Sequence, residues 1–175
     1  MEQRGFKEEH AVLHHLSHIA PQMLKLRDQD NLTEFVLHEL CCQKGFNFEK
    51  AAYFVDNPDF NCLKGVAGFS RAEEYVHNTS IWESPEAFSV HMCQAQFNQK
   101  VRTINKVSVR KSSIDDALLV KEMAQDLGFK EYGFYSWDMK HDNHSIFLFE
   151  RSSNEIPSDE HVRNGISLLS FCPLF

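Results

Sequence analysis

Apolar residues recur at alternating steps of four and three through Val12, Leu16, Ile19, Met23 and Leu26, so the chain from about 8 to 27 predicts an amphipathic helix that could serve as a dimer contact. Pro21 falls inside that pattern. Its missing amide and crowding ring predict a kink or a break there. Leu32, Phe35, Val36 and Leu40 carry the helical period on over about 31–44, with Asp30 or Asn31 as cap and Gly45 as stop. The pattern then changes to that of strands. Segments 51–55 and 60–67 flank the turn Asp56-Asn57-Pro58-Asp59 and predict an antiparallel hairpin.

From 70 to 103, long polar stretches are punctuated by Tyr75, Trp82, Phe88, Val90, Met92 and Phe97, and Ser84-Pro85-Glu86 opens a helix; this segment is expected to cross over the sheet. A short strand over 107–109 follows. A helix over 113–127 comes next, begun by Ser113 with Asp115 and Asp116 in its first turn and closed by Gly128. Strands over 131–137 and 145–150 flank a charged turn, and Pro157-Ser158-Asp159 opens a last helix bearing Val162, Ile166, Leu169 and Phe171. Hairpins at both ends of this order predict an α/β fold with a mostly antiparallel central sheet of about five strands sandwiched by helices. With 175 residues, the chain is expected to form one domain over 1–175, with an amphipathic helix over 1–27 and a closing helix over 158–175.

Composition sharpens this reading in a few places. Fifteen Phe residues fill a core or line an aromatic pocket. A net charge of −7 without clustered Lys and Arg argues against a nucleic-acid groove, so any contact with DNA would need a separate domain. Five Cys residues with Cys41 and Cys42 adjacent make a poor disulfide framework and fit a reducing compartment, the cytoplasm. No stretch has the apolar length to span a bilayer, and no membrane partner is expected.

His10, His14 and His18 share one helix face at ligand-like spacing, with His15 beside them. With no Cys or acidic cluster to complete the set, they read as a solvated stripe, and no metal or cofactor is expected. Cys93 next to His91 could gain thiolate character, yet all five cysteines are explained as small apolar groups. The seven glycines never fall at phosphate-cradle spacing, and Asp115-Asp116 suits a helix's first turn without any catalysis. An enzyme is therefore not expected.

Segments 32–69 and 107–150, including the run from Ile114 to Trp137 with its Leu127-Gly128 helix end, resemble sensor domains of the GAF class and, more narrowly, the N-terminal ligand-binding domains of LuxR-type bacterial transcription regulators. Residues 165–175 are similar to the helix that precedes the linker to the helix-turn-helix in such regulators. Autoinducer-binding members carry an Asp-Pro whose carboxylate holds the ligand amide; here Trp82 is followed by Ser84-Pro85, and that carboxylate is missing at the nearest match. The resemblance implies a small-molecule-sensing regulatory domain that forms a homodimer and reaches DNA only through a helix-turn-helix outside this chain. The expected pocket lies between the sheet and the crossover, lined by Tyr53, Tyr75, Trp82, Phe88, Tyr135 and Trp137. The alternative is a GAF-like module without ligand that serves dimerisation or docking.

Overall fold

The hairpin around Asn57-Pro58 forms the middle of the sheet. Its strands are β1 (Phe48–Asn57) and β2 (Cys62–Ser70), and Asn57 Oδ1 closes the turn by accepting the main-chain N–H groups of Asp59 and Phe60 at 3.0 and 3.2 Å. In this computed structural model, which describes residues 2–112, 115–152 and 158–173, three more strands join them: β3 (Asn105–Val107), β4 (Tyr132–Asp138) and β5 (His144–Arg151). The order is β3-β2-β1-β5-β4, and every neighbouring pair is antiparallel. The α/β class with a five-stranded antiparallel sheet is as the sequence predicts.

Alternation along the strands sends side chains to two cores. Ala51, Tyr53, Val55, Phe69, Phe147 and Phe149 belong to one, and Ala52, Phe54, Leu63, Ile146 and Leu148 to the other. The first core is roofed by α2 (Leu32–Cys41) and α7 (Asp159–Ile166), with α1 (Glu2–Lys25) packed on α2. The second is covered by α6 (Asp116–Leu127) and α4 (Gln96–Arg102). At Gly65 an added Cβ would lie 1.9 Å from the Val101 carbonyl oxygen, so glycine is what lets α4 rest directly on the β2 backbone. Asn98 on α4 then accepts the Gly68 main-chain N–H at 2.9 Å, covering the strand edge that the short β3 leaves open.

Several local expectations are revised. Helix α1 runs unbroken through Pro21, which sits on the solvent side while Ile19 and Met23 on either side of it are held in the core. The strand expected at 107–109 is displaced to Asn105–Val107, because Val109 turns inward as the first residue of a short helix, α5 (Val109–Ser112). Asp56 in β1 accepts the Arg110 main-chain N–H at 3.0 Å and so fixes that turn. Helix α6 is capped by Asp115, whose side chain accepts from the Ala117 N–H, and it ends at left-handed Gly128 as expected. The anticipated starts at Ser113 and Pro157 lie outside the described residues; Ser158 caps α7.

The apolar face of the first helix, read as a possible dimer contact, and that of the last helix both pack within the chain. Ile19, Met23, Val162, Ile166 and Leu169 are buried, Val12, Leu16 and Leu26 pack half-buried against the same core, and Phe171 is left exposed. Among the described residues no helix is long and apolar enough to cross a membrane.

Candidate functional site: an aromatic nest around His38

Helix α2 is buried on nearly all sides, and its flank away from the sheet meets the crossover that contains α3 (Pro85–Gln94). Phe35 and His38 lie three residues apart, so both project toward that flank. Phe35 packs against Phe88 and Trp82 with ring centroids at 4.4 and 5.4 Å. The His38 ring stands edge-on to Phe88 and to Phe69 of β2, at 5.2 and 5.5 Å. Tyr75 completes the wall, edge-on to Phe88 at 5.6 Å.

His38 is the polar centre of this nest. The Tyr75 main-chain N–H donates to its Nε2 at 3.2 Å, so the ring proton must sit on Nδ1. Nδ1 is buried and has no hydrogen-bond partner among the described residues. Burial lowers the His38 pKa to about 4, because a charged imidazolium among carbon atoms would lose its hydration. The side chain is therefore a neutral imidazole that offers one unused N–H donor inside an aromatic enclosure.

The crossover is tied down at several points. The Glu73 carboxylate accepts the main-chain N–H groups of Gln96 and Phe97, both at 2.9 Å, and so caps α4. His91 Nε2 donates to the Glu73 carbonyl at 2.7 Å, and Asn31 Nδ2 donates to Ser89 Oγ at 3.0 Å. Beneath them Glu34, 2% exposed on α2, accepts from Asn98 Nδ2 at 2.8 Å and Arg102 Nη1 at 2.6 Å. These links hold the crossover against α2 and β2.

The six expected wall residues divide into two groups. Tyr75, Trp82 and Phe88 come together in the nest. Tyr53, Tyr135 and Trp137 stand on the sheet in the core beneath α2 and α7. There Tyr53 and Trp137 stack at 6.0 Å, and Tyr53 Oη, 2.9 Å from Ser145 Oγ, shares a hydrogen bond with it. Tyr135 Oη donates to Asp159 at 2.7 Å, and Trp137 Nε1 donates to Ser170 Oγ at 2.8 Å, so two of the polar tips are engaged with the closing helical segment. Trp82 packs against the nest and against the core that holds Tyr53 and Tyr135. Sequence reasoning missed Phe35, Phe69 and His38; the one available signal was a histidine three positions from Phe35 on a helix that carries the apolar residues Val36, Leu37 and Leu40 around it.

A second cluster occupies the end of the sheet where β4 and β5 turn. His144 Nε2 lies 2.8 Å from Asp116 Oδ2, and its Nδ1 lies 2.9 Å from Asp138 Oδ1, while Arg110 also pairs with Asp138. Asp116 thus does more than complement a helix dipole: it engages a buried ring. Asp56, fully buried nearby in sequence register with His144, keeps Oδ1 without a partner. Of the cysteines, Cys93 is exposed and Cys62 half-buried, whereas Cys41, Cys42 and Cys172 are buried.

Family models, curated proteins and solved structures were all compared with the chain, and none matches it.

Proposed function

We propose that this chain is a small-molecule-sensing regulatory domain of the kind found in LuxR-type regulators and related signalling proteins, and that it binds its ligand without transforming it. The observation that supports this most is the unpaired Nδ1–H of His38 within the nest of Phe35, Phe69, Tyr75, Trp82 and Phe88. A buried donor without an acceptor costs about 1–3 kcal/mol, and a ligand carbonyl or ring nitrogen would remove that cost. Aromatic walls with one directional polar group suit a small, flat, largely apolar molecule. The crossover would sense it, because the same His38 ring holds the Tyr75 main chain through Nε2.

Native mass spectrometry of the purified chain, followed by a thermal-shift screen of neutral aromatic and heteroaromatic metabolites, tests this reading. A binder at a hundredfold excess over its Kd should add about 2.7 kcal/mol of stability. Trp82→Ala, at a half-buried wall, should abolish the shift while the circular dichroism spectrum is preserved. A chain that carries no adduct and responds to no member of the screen, or a shift that survives Trp82→Ala, overturns the proposal.

A further inference from the structure

The flank of α1 that meets α2 carries His15, between the exposed His14 and His18. His15 Nε2 lies 3.0 Å from Glu39 Oε2 and 3.9 Å from Cys42 Sγ. The Glu39 main-chain oxygen is 3.0 Å from the same nitrogen and 3.4 Å from the same sulfur. One nitrogen, one carboxylate oxygen and one sulfur thus gather within 4.8 Å of one another.

Thiolate, imidazole and carboxylate atoms bonded to one tetrahedral zinc at ~2.0–2.3 Å stand roughly 3.3–3.6 Å apart. The His15–Glu39 and His15–Cys42 distances of 3.0 and 3.9 Å straddle that separation, and all three atoms lie within 4.8 Å of one another. A nucleophilic relay would look different: the imidazole would use one nitrogen for the thiol and the other for the orienting carboxylate. Here both groups converge on the same nitrogen, so they surround a point rather than form a chain.

We infer that His15, Glu39 and Cys42 bind a divalent ion of the zinc class, clasping α1 to the C-terminal end of α2. The donor set chooses the ion, since sulfur with imidazole favours zinc and disfavours magnesium or calcium. The His15 and Glu39 side chains are 17% and 14% exposed, which gives an ion a path from solvent to the buried thiol. Water or the Glu39 carbonyl is at hand for a fourth position. Cys42 would bind as its thiolate, so the ion takes the place of the thiol proton.

The test uses the full chain with any His tag removed, stripped with a chelator and titrated with cobalt(II), then zinc. One equivalent of cobalt should give a thiolate-to-cobalt charge-transfer band that zinc abolishes. Cys42→Ser should lose the band and weaken zinc by more than the ~10- to 100-fold that loss of an outer-shell partner costs. The double variant His14→Gln/His18→Gln should keep both. Absence of the band in the unaltered chain, its persistence in Cys42→Ser, or zinc affinity that is lost in the His14/His18 variant and kept in Cys42→Ser overturns the proposal. Should Cys42→Ser fail to fold, Glu39→Gln takes its place: it must weaken zinc binding, and an unchanged affinity overturns the proposal.

Discussion

His38 and His144 are buried to almost the same depth, 5% and 6% exposed, and are treated in opposite ways. His38 is ringed by carbon, uses one nitrogen as an acceptor and keeps the other free. His144 is flanked by Asp116 and Asp138, with both nitrogens engaged. In the nest the unsatisfied atom is a donor, whereas near the strand ends acceptors are left without partners among the described residues, Asp56 Oδ1 and Asn143 Oδ1. Burial alone therefore does not assign a histidine its work; the hydrogen-bond ledger around it does. An unspent donor among aromatic rings invites a ligand, and a fully engaged ring among carboxylates holds strands and helices together.

The largest effect should come from the nest's packing. Phe88 is fully buried between Phe35, Tyr75 and His38, so Phe88→Ala should cost about 3–5 kcal/mol in urea denaturation. A cost below about 1 kcal/mol would mean that the crossover does not share a packed unit with α2.

Next in size is an acid limb in stability. His38 has a pKa of about 4 when folded against 6.5 when exposed. Above 6.5 both states are neutral and the full stability is present. As pH falls from 6.5 toward 4 the unfolded chain takes up the proton first, so stability drops by roughly 3 kcal/mol and then levels off. His38→Leu should remove that portion, so the stability difference between the unaltered chain and the variant should change across this window. A pH-independent difference would show that the ring is not held neutral.

At the strand ends the effects are smaller. His144→Leu strips Asp116 and Asp138 of a shared partner and should cost about 1–3 kcal/mol by thermal denaturation. Asp138→Asn should cost less than about 1 kcal/mol, because Asp138 is 73% exposed and its pairing with Arg110 is screened by solvent. If Asp138→Asn proves as costly as His144→Leu, the cluster is a coupled unit rather than a buried ring with one solvated partner.

The sheet was legible because its signals are local. The Asn57-Pro58 turn, the apolar run from Ala51 to Val55 and the Gly128 stop each act within a few residues. The misplaced third strand shows the limit: Val109 fits an alternating pattern, but Asp56, 54 residues away, takes the Arg110 amide and starts a helix. Half of the proposed walls were legible for a similar reason, since Tyr75, Trp82 and Phe88 are large rings in a polar stretch and need a surface to cover. His38 and Phe35 were hidden in a helix whose apolar spacing explains itself, and only the crossover reveals what they face. His15 stood on the Val12–Leu16–Ile19 side of its helix, where the sequence showed a seam, yet Glu39 and Cys42 come from 24 and 27 residues further on.

Helix α2 has a consequence for motion. Every residue in it except Glu39 is buried, with the sheet on one side, the crossover on another, and α1 and α7 closing the rest. Such a helix cannot fray sideways without dismantling its neighbours, so its amide hydrogens should exchange with deuterium only when the whole chain unfolds. The solvent-facing amides of α1 at Leu13, Ser17 and Leu24 answer to a shallower opening. The gap between those two exchange rates measures how far the outer helix detaches while the inner one stays closed.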